Sequence, residues 1–248
     1  MKLAGRTDVG IVRSENQDNY RAAQLPDGRV WALVCDGMGG ANGGKEASGL
    51  ACDAAETYFT AHMPWCEAGG ERALLLHALE KANTAVYQKA CQNPRYAGMG
   101  TTAVALIVQG GTAHLCHVGD SRCYLLRGGR LTQLTHDHSY VQELLDSGAI
   151  TPQEAEHHPR KNVITRALGV ESTVEIEYTC ATVTAGDVLL LCTDGLTNAV
   201  PRKRMEEILM QTSLYKAVDA LVAAANAAGG PDNITALLVG LDTEEENG

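Results

Sequence analysis

Long apolar runs, basic clusters and paired cysteines are scarce in this chain of 248 residues. No apolar stretch approaches the ~18 residues of a membrane span, and the first residues, Met1 to Asp8, lack the apolar core of a signal peptide. A cytoplasmic protein with no membrane partner is therefore expected. No basic cluster exceeds Arg202-Lys203-Arg204 and the formal charge is -10, which argues against nucleic acid, since a phosphate backbone is met by a basic face. None of the eight cysteines lies in a C-x-x-C pair, and Cys35, Cys116 and Cys192 sit inside apolar runs, so reduced core thiols are expected rather than disulfides. Aromatics are only 4% of the chain and suggest core or loop packing, with Trp65 beside Pro64 in a surface loop. Neither an internal repeat nor a low-complexity linker is visible.

What is there suffices for a large core. At 45% hydrophobic and 20% charged, the chain is read as one domain over residues 1–241, followed by a solvated acidic tail from Asp242 to Gly248. Strand-like runs at 9–12 and 30–35 flank a turn at Pro26-Asp27-Gly28 and suggest a hairpin. Helical spacing then appears twice, through Ala47, Leu50, Ala51, Ala54 and Tyr58, and through Leu75, Leu79, Ala82, Val86 and Ala90. A meander of apolar runs at 102–108, 112–118, 121–127 and 130–135 is broken by glycine turns. Capping signals at Ser139 and Thr151 predict two short helices within 140–158. Strands near 174–179 and 187–193, helices from about 201 and 214, and a strand over 234–241 complete the pattern. Strands and helices arrive in blocks, which predicts an α+β layered sandwich rather than a βαβ parallel sheet.

Four aspartates stand at the ends of the apolar runs. Asp36, Asp120 and Asp194 follow such runs, and Asp232 precedes one. In an antiparallel sheet the end of one strand and the start of its neighbour share a rim, so the four carboxylates can converge. Such a cluster repels itself unless a cation neutralises it, and oxygen-only ligands favour Mg²⁺ or Mn²⁺ over zinc.

Around these aspartates runs an ordered series of motifs: Arg13-Ser14-Glu15-Asn16-Gln17-Asp18, Asp36-Gly37-Met38-Gly39-Gly40, Gly100-Thr101-Thr102, Val118-Gly119-Asp120-Ser121-Arg122, Asn162 to Gly169, Thr193-Asp194-Gly195-Leu196 and Asp232-Asn233-Ile234-Thr235. In this order the chain resembles the metal-dependent protein phosphatase family, also called type 2C, from about residue 6 to 239. The resemblance implies two stacked antiparallel β-sheets flanked by helices on both faces, an αββα sandwich, with a two-metal centre at one end. By matching position, Asp36 bridges the two ions and the Gly37 carbonyl binds one of them, while Asp194 and Asp232 complete the other site. Asp18 acts through a metal-bound water, Asp120 helps hold a third ion, and Arg13 clamps the substrate phosphate, a task suited to a planar guanidinium. The implied reaction is hydrolysis of phosphoserine and phosphothreonine by a hydroxide shared between Mn²⁺ or Mg²⁺ ions. The implied setting is a bacterial monomer that acts on phosphorylated proteins and opposes a serine/threonine kinase. Substrate choice is expected in the flap between about 139 and 165.

The family pattern is broken in two respects, a missing histidine and a missing glutamate. Met38 follows the Asp-Gly where eukaryotic members carry a histidine thought to protonate the leaving alcohol, and position 41, histidine in some bacterial members, is Ala41. A metal-bound water is the expected acid. Gln17 replaces a ligand glutamate of eukaryotic members, which predicts more water on one metal and weaker affinity.

Several rival readings remain. Gly39 to Lys45 matches most of a P-loop, but Glu46 replaces the hydroxyl that would bind Mg²⁺. A phosphocysteine route is not expected either, on the reading that no C-x5-R loop is present, with no arginine six residues after a cysteine in a glycine-rich turn. His136-Asp137-His138 has no partner histidines at zinc-like spacing and is expected at the edge of the site. The alternative from another functional class is a catalytically silent member of the fold that only binds phosphoproteins.

Overall fold

The computed structural model describes residues 1–39 and 43–241, and Gly40, Ala41, Asn42 and the acidic tail lie outside the described residues. Along the chain run β1 (Lys2–Asp8), β2 (Asp18–Gln24), β3 (Val30–Met38), α1 (Gly43–His62), α2 (Glu71–Gln92), β4 (Gly100–Thr101), β5 (Ala103–Gln109), β6 (Thr112–Val118), β7 (Arg122–Arg127) and β8 (Arg130–Gln133). There follow α3 (Tyr140–Asp146), α4 (Pro152–Glu156), β9 (Glu177–Thr182), β10 (Val188–Cys192), α5 (Asp194–Thr197), α6 (Arg202–Gln211), α7 (Leu214–Ala227) and β11 (Ile234–Gly240).

Two antiparallel sheets form, with strand orders β1-β11-β10-β7-β8 and β2-β3-β5-β6-β9, and β4 pairs with β3 off the second path. Alternation along each strand sorts side chains into layers. Val30, Ala32 and Val34 of β3 meet Leu189 and Leu191 of β10 and Leu237 and Val239 of β11 between the sheets. On the opposite face of β3, Trp31, Leu33 and Cys35 pack against α1 and α2. Leu190, Ala236 and Leu238 likewise face α6 and α7. With both faces buried, these central strands read as continuous apolar runs. Ala47, Ala51 and Ala55 bring α1 close to its sheet because they add little volume between helix axis and strand. The αββα sandwich expected from the sequence is present.

Three local expectations are corrected. Residues 9–12 form no strand. Gly10 takes φ +79, its N–H donates to Asp8 Oδ1 at 3.0 Å, and Ile11 and Val12 are 66% and 70% exposed. The hairpin at Pro26-Asp27-Gly28 instead joins β2 to β3. The meander is antiparallel but does not stay in one sheet: β5 and β6 belong to one, β7 and β8 to the other. The chain changes sheets at Gly119-Asp120-Ser121, where Gly119 adopts φ +100.

No described helix is long and apolar enough to cross a membrane. The caps foreseen at Ser139 and Thr151 both form, with Ser139 accepting from the Gln142 N–H and Thr151 making a full capping box with Glu154.

Candidate metal centre

One end of the sandwich gathers the chemistry. Asp18 opens β2 directly across from Asp36 near the end of β3, while Asp194 begins α5 immediately after β10. Asp120 occupies the crossover between sheets, and Asp232 lies just before β11. Asp36, Gly37, Asp120, Asp194 and Asp232 line one cavity of about 290 Å³, together with Arg13, Gln17 and Met38. Asp18 sits buried behind Asp36. All the residues singled out in the sequence as ligands, phosphate clamp or water holder therefore meet at one place.

Backbone packing sets their positions. The Asp36 N–H donates to Thr102 Oγ1 at 3.0 Å and its carbonyl accepts from Thr101 Oγ1 at 2.8 Å, so the peptide carrying the central carboxylate is held from both sides. Thr102 Oγ1 in turn hydrogen-bonds Ser121 Oγ at 2.7 Å, tying the Asp36 strand to the crossover beside Asp120. A Cβ on Gly37 would overlap the Gly44 carbonyl oxygen, and one on Gly195 would overlap the carbonyl of Asn233. Both glycines are thus required by close backbone approach. Asn233 holds the β1–β2 loop at three points: its Oδ1 accepts from the Gln17 N–H at 2.8 Å, and its Nδ2 donates to the Val9 and Glu15 carbonyls at 2.9 Å. That anchors the segment bearing Arg13, whose Nη2 lies 2.9 Å from Asp232 Oδ2.

The electrostatics are those of crowded, desolvated acids. Burial pushes Asp36 well above the usual carboxylate range, and Asp18, Asp194, Asp120 and Asp232 push it further. Asp18 is raised to about 7 by burial, against hydrogen bonds from Thr235 and Thr193 that favour its charged form. Asp120 also rises to about 7, through burial and then through Asp194 and Asp137, and Asp194 is raised by burial and then by Asp232. Besides burial, neighbouring carboxylates raise both Asp36 and Asp194, and a cation among these acids would relieve the repulsion. The donor set fits a hard dication on a further count: Asp18 Oδ2 accepts from Thr193 Oγ1 at 2.9 Å and Thr235 Oγ1 at 2.7 Å, while its buried Oδ1 has no protein partner.

Thr102, Ser121, Thr193, Thr235 and Asn233 carry this positioning and had no role assigned from sequence. Each lies inside one of the motifs quoted from the sequence, but Thr193 and Thr235 serve Asp18, which belongs to a different motif, so nothing in the sequence showed what they hold.

The His136-Asp137-His138 segment does border the site, but as scaffold. His136 pairs with Asp146 at 2.7 Å and Asp137 holds Arg122 in a fork. His138, His117 and Glu177 place ligand-type atoms within 4.8 Å of one another. The two imidazoles, however, stack at 4.6 Å with 12° between planes, so no ion can lie in the plane of both. His138 Nδ1 already accepts from the Gly119 N–H at 3.1 Å. The P-loop rival fails as well, since the sheets are antiparallel and Lys45 pairs with Glu15 at 3.3 Å.

C-x5-R spacing does occur twice, at Cys66 to Arg72 and Cys116 to Arg122, contrary to expectation. Neither is a phosphate loop. Cys116 is buried within β6 with its thiol pushed up to about 12 by desolvation, and burial also raises Cys66, which lies beside a short 3₁₀ turn before α2.

Comparison with known proteins agrees with this geometry. Residues 12–238 match the family described as Protein phosphatase 2C. The chain is 40% identical to the serine/threonine phosphatase stp of Listeria monocytogenes over 242 residues, 97% of this chain and 96% of the relative. It superposes on the S. agalactiae serine/threonine phosphatase with TM-score 0.91 at 34% identity, covering 97% of this chain and 99% of the other. The catalytic domain of the phosphatase PstP, solved in complex with two manganese ions, gives TM-score 0.84 at 37% identity with 96% of each chain covered. The chain belongs to the protein phosphatase 2C family. Within it, this is a protein serine/threonine phosphatase that depends on divalent metal ions.

Proposed function

We propose that residues 1–241 act as one catalytic domain that removes phosphate from phosphoserine and phosphothreonine in cytoplasmic proteins, as the antagonist of a serine/threonine kinase and as a monomer. The observation that carries this reading is the convergence of Asp18, Asp36, Asp120, Asp194 and Asp232 with Arg13 at one cavity. Asp36, the Gly37 carbonyl, Asp194 and Asp232 would hold two core ions, Mn²⁺ or Mg²⁺, and Asp120 would help hold a third. Bound there, such ions supply an activated water at neutral pH and neutralise charge on the phosphoryl oxygens.

This chain's own residues do the rest. Arg13, at the cavity rim, binds the phosphoryl group through its planar guanidinium and orients it for in-line displacement. Asp18 accepts two threonine hydroxyls on one oxygen and keeps the other free, so it can orient a water that the cradle holds. Met38 offers no proton, so the leaving alcohol takes one from water in the cavity. Gln17 lines the cavity as a neutral group, which supports weaker metal binding than a glutamate would give. The silent alternative gains no support, since every carboxylate of the cradle is retained.

Hydrolysis of a phosphothreonine peptide by metal-stripped protein, with Mn²⁺ or Mg²⁺ restored and Asp36→Asn alongside, tests the reading. Metal-dependent phosphate release by the native chain and none by the folded variant is expected. Full activity in Asp36→Asn would sink the bridging assignment. No release by the native chain, despite bound metal, would favour the silent alternative.

A further inference from the structure

Beside the metal cradle, and sharing Asp120 and Asp194 with it, lies a larger cavity of about 720 Å³. Its walls come from the flap around α3 and α4 and from the start of α6. Two exposed cations face it, Lys161 from the flap and Arg202 from the first turn of α6, and neither has a carboxylate partner among the described residues. Arg202 is placed by its guanidinium, 5.9 Å from the centre of the Tyr124 ring. Of the acids in the cavity, Asp137 is neutralised by Arg122, and Asp120 and Asp194 belong to the metal cradle. Lys161 and Arg202 then outnumber the one remaining acid, Glu156.

Elsewhere on this acidic chain, arginines are mostly paired with carboxylates, as at Arg6–Asp219, Arg21–Asp53, Arg127–Asp187 and Arg166–Glu175. Arg72 and Arg160 also have no carboxylate partner among the described residues, but each lies over a tyrosine ring, and what sets Lys161 and Arg202 apart is that both face one cavity. The first turn of α6 carries Arg202, Lys203 and Arg204 and no acid; Glu207 neutralises Arg204 at 3.0 Å, and the helix dipole disfavours the positive charge that remains there.

We propose that this cavity is a substrate subsite for a second anionic group, a carboxylate or a second phosphate, carried on a residue close in sequence to the phosphoresidue. The inference rests on the phosphatase reading above and deepens it by naming the class of substrate preferred. The phosphoryl group enters at Arg13 while its anionic neighbour crosses the Asp120–Asp194 ridge to lie between Lys161 and Arg202. The contribution is electrostatic and partly exposed, so it acts on capture of substrate and weakens with salt.

The test is kcat/KM for phosphothreonine peptides of equal length, metal-saturated and at low salt. Flanks are neutral, glutamate-bearing, lysine-bearing or carry a second phosphothreonine, on either side of the reacting residue. The native enzyme should favour the anionic flanks over neutral ones by about fivefold or more, chiefly through KM. Lys161→Gln with Arg202→Gln should bring that ratio close to one, and Arg202→Glu should shift preference towards the lysine-bearing peptide. A gain for both glutamate and phosphate assigns the subsite to anions in general, and a gain for the second phosphate alone assigns it to phosphate. An equal ratio in native and doubly substituted enzyme, or no preference in the native enzyme, overturns the proposal. Absence of hydrolysis with every peptide counts instead against the phosphatase reading.

Discussion

At the residue scale, the site depends as much on hydroxyls as on carboxylates. Asp18 is buried beside four other acids, yet Thr193 and Thr235 both donate to its Oδ2 and hold its charged form within reach of neutral pH. Replacing both donors by valine keeps the shape and removes both hydrogen bonds to Asp18, along with the one that Thr193 Oγ1 accepts from the Thr235 N–H and the one between Thr235 Oγ1 and Thr7 Oγ1. The pKa of Asp18 then rises further, because burial is no longer opposed. Thr193→Val with Thr235→Val should move the acid limb of kcat/KM to higher pH and weaken metal binding, with near-native circular dichroism. An unmoved limb would mean that Asp18 does not set it. Asp36, Asp120, Asp194 and Asp232 were legible in the sequence because each stands at the end of an apolar run, and Asp18 only through the motif that it closes. The threonines were not, since a hydroxyl in a strand has an equally good reading as β-propensity.

At the scale of elements, the segments buried on both faces or along a full helical stripe were the readable ones. β3, β10 and β11 are apolar throughout because one face meets the opposite sheet and the other meets helices. α1 and α2 showed their period for the same reason. β1 and β2 were missed. Both are sheet-edge strands, and Asp18-Asn19-Tyr20-Arg21-Ala22-Ala23-Gln24 carries mostly polar or small side chains. Its strand state comes from backbone pairing with β3 over seven residue pairs, a tertiary contact with no trace in hydrophobic pattern. The junction of β3 with α1 is equally tertiary: Gly37 is squeezed between the Gly44 and Gln17 carbonyls. Gly37→Ala should therefore cost about 1–3 kcal/mol in urea denaturation and lower metal affinity at the same time. A variant of native stability would show that the two backbones are free to separate.

For the whole molecule, the acid cluster couples stability to metal and pH. Asp18, Asp36, Asp120 and Asp194 all have folded-state pKa values raised above those of unfolded aspartate, so the metal-free fold binds more protons than the unfolded chain. Their contribution is fully present below the ordinary aspartate value of 3.8 and is lost as pH rises through the folded values, about 7 for Asp18 and Asp120. Metal-stripped protein should therefore lose thermal stability from this cluster between about pH 4 and pH 8, and Mn²⁺ should restore more of it at pH 8 than at pH 5. Thermal melts at a series of pH values, with and without Mn²⁺, read this directly. A metal-induced gain that is larger at pH 5 would contradict the assignment of these acids to the cradle.

The sequence by itself determined the layered α+β class, the central strands, the main helices and the acids of the site, because apolar periodicity and the charges that break it are local properties of the chain. Only the tertiary structure decided which strands share a sheet, that the chain changes sheets at Asp120, which hydroxyls and backbone oxygens hold the aspartates, and that Lys161 and Arg202 face one cavity beside them. Those facts depend on pairs of residues far apart in sequence, and no local pattern encodes a contact between segments that only the folded core brings together.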